Sequence, residues 1–280
     1  MRSFPVLCPI FAVFALGCSC SGVDVAAPAG DKLVAAPAEE KPAAALAEES
    51  GKWGTIKGQI VYGGDPPAAK PINITKDEEE CKKALKGETL VDEEWVVNKD
   101  NKGLKWAYVW LAPADPKGKL PIHPDLEKIK EPKVFMDQPC CRFEPRCLAV
   151  REGQIWVAKN SAAINHNVKW EGGTKNPGDN PILPAGKEAE FKGLKADMAP
   201  IIVQCGIHPW MKGWVRVFDH PYYAITDADG KFEIKNAPVG NFRIYIWHEG
   251  AGWISENGKK GQEITIKAND NDLGKVEVKP

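Results

Sequence analysis

From Trp53 onward, apolar and polar positions alternate in short runs interrupted by Gly, Pro, Asn and Asp. A period of two places successive side chains on opposite faces of a strand, so this pattern predicts an all-β architecture of sandwich type rather than βαβ units. The runs are "GTIKGQIVYGG", "KWAYVWLAP", "CLAVREGQIWVAKN", "APIIVQC", "GWVRVFD", "YYAITDADGKFEIKN", "NFRIYIWHE" and "GQEITIKAN". Within the sixth, "DADGK" sets Asp-Gly between two alternating stretches, a strong hairpin signal. One helix is expected around "TKDEEECKKALKG", and the Pro-rich stretch from Pro113 to Pro132 reads as connection. No internal repeat is visible.

The N-terminal pattern is of another kind. "MRSFPVLCPIFAVFALGCSCSG" has one Arg and then an apolar run from Phe4 to Leu16, too short to span a bilayer comfortably but suited to a signal-peptide core. Residues 1–20 are therefore expected to be an export signal, which places the protein in the periplasm or cell envelope. The run ends in "ALGC", which resembles the lipobox of bacterial lipoproteins. By that resemblance Cys18 is lipidated and is the one point of membrane contact. Ala15 stands where the motif prefers Leu, and plain secretion is the alternative. Residues 21–52, rich in Ala, Pro and Glu and without an aromatic residue, cannot bury enough apolar surface to offset ordering entropy, and are read as a disordered tether.

Charge removes one class of function. The chain has 280 residues with 37 basic and 38 acidic side chains, a formal net charge of -1, so nothing attracts it to nucleic acid. Most of its ten Trp residues are expected in core or edge packing, because an indole buries a large area and needs one hydrogen-bond partner.

The cysteines point to chemistry. Past Cys8, Cys18 and Cys20, the folded part has Cys81, Cys140, Cys141, Cys147 and Cys205, an odd number in a compartment where thiols pair. Cys81 with Cys141 and Cys140 with Cys147 is one of three ways to pair the first four, and a bond between the adjacent Cys140 and Cys141 would be strained. Cys205 is left over. It lies in "VQCGIHPWMKGWVRVF", which packs a thiol, an imidazole and a thioether into seven residues. Thiolate and thioether with imidazole suit copper that cycles between two oxidation states, and a trigonal set of two His and one Cys with a long axial Met describes an electron-transfer site. Structural zinc takes Cys, His and carboxylate, and Met is a poor ligand for it. Cys205, His208 and Met211 would supply three ligands from one loop, and a second His must come from another. Of the five histidines, His166 in "NSAAINHNVKW", just after a predicted strand, is best placed. His123, His220 and His248 are read as surface or hydrogen-bonded residues.

With both segments in view, the chain resembles the cupredoxins, most closely their amicyanin and pseudoazurin-like branch. "NHNV" is similar to the segment that provides that family's first His, and "CGIHPWMKGWVRV" to its Cys-His-Met loop. The resemblance covers roughly Val134 to Asp219. It implies a Greek-key β-sandwich, one type 1 copper ligated by His166, Cys205, His208 and Met211, and Asn167 as the residue that ties the two ligand loops together. Gln204 departs from the aromatic residue or His that often precedes the Cys. The family's downstream His reaches the surface through an apolar patch, which implies Ile207, Pro209 and Trp210 as a docking face for a redox protein such as a c-type cytochrome; the alternative is that Trp210 packs over the loop as a lid that keeps water out.

The flanks resemble something else. "WGTIKGQIVYGG" together with "TDADGKFEIKNAPVGNFRIYIWHEG" is similar to the carboxypeptidase regulatory-like domain, a small immunoglobulin- or transthyretin-like β-sandwich. A cupredoxin domain over 134–219 is accordingly expected to be inserted into a second sandwich made of 53–133 and 220–280. The expectation is an exported electron carrier rather than an enzyme: a multicopper oxidase or copper nitrite reductase needs further His ligands, commonly in HxH pairs, and no HxH occurs. The alternative is a surface module that binds glycan or protein, with the cupredoxin fold as a structural domain.

Overall fold

The computed structural model describes residues 53–255 and 258–279, so the expected export signal and tether lie outside the described residues. The chain enters β1 (Trp53–Tyr62), crosses a long irregular stretch carrying helix α1 (Glu78–Ala84), and forms β2 (Tyr108–Pro113). After a single helical turn, α2 (Pro124–Glu127), come β3 (Lys133–Met136), β4 (Cys147–Arg151), β5 (Ile155–Lys159), β6 (His166–Asn167), β7 (Lys169–Trp170), β8 (Ile182–Leu183) and β9 (Glu188–Phe191). Then follow β10 (Ile201–Gln204), β11 (Lys212–Phe218), β12 (Tyr223–Ile225), β13 (Lys231–Pro238), β14 (Gly240–His248), β15 (Gly252–Trp253), β16 (Gln262–Ile266) and β17 (Asn269–Val278). The fold is all-β, and no helix among the described residues is long and apolar enough to cross a membrane.

Two sandwiches result. In the first, the sheet β4-β11-β10-β7 and the sheet β3-β5-β9 enclose a core around Trp156, Trp170 and Phe191. The ring centroids of Trp156 and Phe191 are 4.5 Å apart. The second sandwich has the sheet β13-β1-β17 and a sheet ordered β12-β2-β14-β15, with β16 also pairing β14. Its core gathers the alternate inward residues of these strands, among them Ile56, Ile60, Val109, Leu111, Phe232, Ile234 and Ile244. The antiparallel pairing of β1 with β13, Ile56 opposite Ile234, joins chain segments that lie on either side of 134–219 in sequence. The turn into β13 is closed by Gly230 N–H donating to Asp227 O at 3.0 Å. Gly230 has φ +72°, and a Cβ there would meet Ile60 O at 2.2 Å, so no other residue fits.

The sandwiches meet along an aromatic seam of Tyr108, Trp110, Phe218, Tyr245 and Trp247. The Tyr108 hydroxyl lies 2.9 Å from Trp214 O and 3.1 Å from Leu148 O, tying β2 of one sandwich to β11 and β4 of the other. Beside it Arg146 forms a bidentate pair with Glu249, Nη2 to Oε2 at 3.0 Å, both side chains almost wholly buried. Loss of either partner would leave an uncompensated charge in the seam.

The cysteines differ in part from the first of the pairings considered. Cys81 and Cys141 form a disulfide with Cα atoms 5.7 Å apart, whereas Cys140, Cys147 and Cys205 are free thiols. Cys147 does not reach Cys140 because β4 carries it into the seam, where its Sγ lies 3.5 Å from Trp106 O. Burial raises the thiols of Cys140, to about 11, and of Cys147, so neither of these two is a ready nucleophile.

Candidate metal centre

The strand pair β10–β11 is pinched where Gln204 faces Lys212, so Cys205 and Met211 are the first and last residues of its connecting loop. Cys205 N–H donates to Met211 O at 3.3 Å, and Met211 N–H to His208 O at 2.9 Å. The second bond closes a turn from His208 to Met211 with Pro209 at its second position, where the fixed φ of proline suits the turn. This local fold sends Cys205, His208 and Met211 inward, all three with 1% exposure or less. His166 arrives separately. Its strand, β6, pairs with β8, while β7 just beyond pairs with β10, Lys169 opposite Gln204, which sets the His166 segment against the mouth of the loop.

The Nδ1 atoms of His166 and His208 lie 2.9 Å apart, and Cys205 Sγ lies 3.8 Å from each. A point equidistant from three atoms so spaced is about 2.1 Å from each of them, the length of a metal–nitrogen bond. Burial, reinforced by the charge His208 would carry, pushes His166 down to about 4, and burial lowers His208 against the opposing pull of Asp77. Two neutral imidazoles therefore face one another with a thiol between them, in a pocket closed to water. Such a donor set fits a borderline or soft cation. Met211 is fully buried at the end of the same loop.

Asn167 ties the two segments. Its Oδ1 accepts from Ile207 N at 3.1 Å and lies 3.3 Å from Cys205 Sγ, its Nδ2 donates to Asn180 Oδ1, and its backbone N–H points at Cys205 Sγ from 3.5 Å.

The outer edge of His208 departs from expectation. Rather than reaching solvent through an apolar patch, Nε2 of His208 lies 2.9 Å from Asp77 Oδ2, and the ring has no exposed surface. Trp210 is only partly buried, but its Nε1 donates to Cys141 O at 3.1 Å, and its ring packs with Leu85, Leu90 and Cys140. Asp77 thus covers the edge of His208 itself, while Pro209 stays exposed and Ile207 and Trp210 partly exposed around it. Nothing in the sequence signals the Asp77 contact, which bridges 131 residues.

The remaining histidines hold turns. His123 Nδ1 accepts from Asp125 N, His220 Nδ1 from Tyr222 N and His248 Nδ1 from Gly250 N.

Comparison with protein-family models finds no match, and comparison with curated proteins finds none either. Solved structures similar to the chain include amicyanin variants, a purple cupredoxin and a copper-containing nitrite reductase. An oxidised amicyanin variant is 22% identical over 32% of this chain and 87% of its own, with a TM-score of 0.28. A purple cupredoxin from Nitrosopumilus maritimus is 20% identical over 30% of this chain and 99% of its own, with a TM-score of 0.26. A copper-containing nitrite reductase from Thermus scotoductus is 20% identical over 38% of this chain and 27% of its own, with a TM-score of 0.29.

Proposed function

We propose that the protein is a mononuclear copper electron carrier. The observation that carries this reading is the convergence of two buried imidazole Nδ1 atoms and one buried thiol on a point at metal-bond distance. His166, Cys205 and His208 would hold the ion, and Met211, buried at the end of the same loop, would add the thioether that favours copper over zinc. Bound copper would supply a one-electron couple. The chain's own part is to keep the ligands in place with little rearrangement: the loop turn fixes His208 and Met211, Asn167 locks the two ligand segments, and burial excludes water. The sequence has no HxH pair of the kind a second, catalytic copper would need, and we therefore favour carriage of electrons over turnover of a substrate. The disulfide Cys81–Cys141 supports an exported location, and a redox protein of the c-type cytochrome class is the exchange partner we propose.

Equilibrium dialysis against Cu(II), followed by a stoichiometric reductive titration, tests the reading. One copper per chain, taking up one electron and lost in Cys205→Ser and His166→Ala, is the expected result. Copper retained at equal affinity in both variants would place it elsewhere and refute the assignment.

A further inference from the structure

Residues 70–92 form a strap over the His208 edge of the candidate centre. Its ends close on each other, Ile72 N–H donating to Leu90 O and Asp92 N–H to Lys70 O, each at 2.9 Å. Its middle is pinned by the disulfide from Cys81 in α1 to Cys141, and Ile72, Ile74, Ala84, Leu85 and Leu90 pack it onto Trp210 and Cys140. Four residues before Cys81, Asp77 stands at the N-cap of α1 and accepts nothing from the helix. An Asp in that position ordinarily satisfies one of the first helical N–H groups. Asp77 instead holds a left-handed conformation, φ 49° and ψ 42°, and turns its carboxylate to His208 Nε2. The left-handed region costs a non-glycine residue on the order of 1–3 kcal/mol, so two local advantages are given up for one contact across the pocket wall. His166 shows the contrast: its Nε2 is buried without a hydrogen-bond partner.

We propose that Asp77 is a positioning residue of the metal centre: its carboxylate accepts the Nε2 proton of His208, fixes Nδ1 as the metal-facing nitrogen, and holds the disulfide-anchored strap shut over that edge. The proposal rests on reading the His166–Cys205–His208 cluster as a metal centre. A carboxylate behind a ligating imidazole fixes its tautomer and ring orientation and raises its basicity, which is why such partners are typically worth 10–100-fold in metal affinity. The added negative charge favours the more highly charged oxidation state, so its loss should weaken Cu(II) more than Cu(I).

The test uses the full chain with Asp77→Asn, nearly isosteric but uncharged, and Asp77→Ala, compared by Cu(II) and Zn(II) affinity against a competing chelator, by visible spectrum and by reduction potential. Asp77→Asn is expected to bind both metals about 10-fold more weakly and Asp77→Ala up to about 100-fold. Each tenfold loss confined to Cu(II) raises the one-electron potential by about 59 mV. Asp77→Glu should recover part of the affinity. Thermal unfolding of the metal-free Asn variant at an unchanged temperature separates positioning from a folding defect. Affinities within twofold of wild type for both metals in Asp77→Asn, with an unshifted potential, would overturn the proposal and leave Asp77 as a latch. If wild type with Cu(II) shows no thiolate absorption, the copper reading fails on its own, and the Zn(II) affinities still decide the role of Asp77.

Discussion

Replacing Asn167 with Ala should separate the two ligand-bearing segments without touching a ligand. The side chain is 5% exposed and makes two kinds of contact. Oδ1 receives the Ile207 amide at 3.1 Å and faces Cys205 Sγ at 3.3 Å, while Nδ2 donates to Asn180 at the half-open edge. Truncation strands the Ile207 amide, for which an unsatisfied buried donor costs roughly 1–3 kcal/mol, and removes the Asn180 bond, worth about 0.5–1.5 kcal/mol. The metal-free protein should therefore lose about 2–4 kcal/mol in urea unfolding, and Asn180→Ala, which breaks only the outer bond, at most about 1.5 kcal/mol. Because the lost contact also sets the spacing of His166 and Cys205, Cu(II) affinity should fall by about 10–100-fold. Asn167→Asp restores an acceptor for Ile207 and should recover most of the metal-free stability. A loss below about 0.5 kcal/mol in Asn167→Ala, with unchanged affinity, would refute the claim that Asn167 ties the loops, since no buried amide could then have been orphaned.

Three further outcomes follow from the same structure. Glu249→Gln leaves Arg146 charged in the seam between the sandwiches and should cost roughly 3–5 kcal/mol in chemical denaturation; a cost under about 1 kcal/mol would show the pair to be hydrated. Cys81→Ser with Cys141→Ser opens a loop of 60 residues and should lower stability by about 4 kcal/mol, read from urea midpoints with and without reductant; equal midpoints would exclude a constraint by the disulfide. Burial holds His248 down at about 4 against 6.5 in the unfolded chain. Between those values the unfolded chain takes up a proton that the folded chain refuses, so stability is full above the window and falls as pH drops through it, by on the order of 3 kcal/mol from this residue. His248→Asn should flatten the pH dependence by that amount, and an unaltered slope would assign it to other groups.

Much of the fold is readable from alternation. The runs that became β1 and β13 show inward Ile56, Ile60, Phe232 and Ile234 with the period of two that survives wherever one face is buried, whereas β2, β5 and β14 are buried on both faces and show as short continuous apolar runs. β17 does not show in the pattern, because "NDNDLGKVEV" is rich in Asn and Asp with one Gly, and its strand form derives from parallel pairing with β1 rather than from propensity. The two-residue strands β6, β7 and β8 are too short to show any period, although β6 carries His166. At the candidate centre, Cys205, His208 and Met211 are legible because one loop supplies all three, and His166 because it follows a predicted strand. Asp77 is not: "TKDEEECKKALKG" reads as a surface helix, and only the fold brings its first acidic residue against a histidine. The free Cys147 is illegible for the same reason, since pairing depends on where β4 runs.

Whether His166, Cys205 and His208 hold copper through the sulfur is decided by the visible absorption of the purified full-length protein titrated with Cu(II). An intense thiolate-to-copper band is expected, saturating at one copper per chain, bleaching with one electron and absent in Cys205→Ser. A colourless Cu(II) complex, or a band that persists in Cys205→Ser, would contradict copper held there through the sulfur.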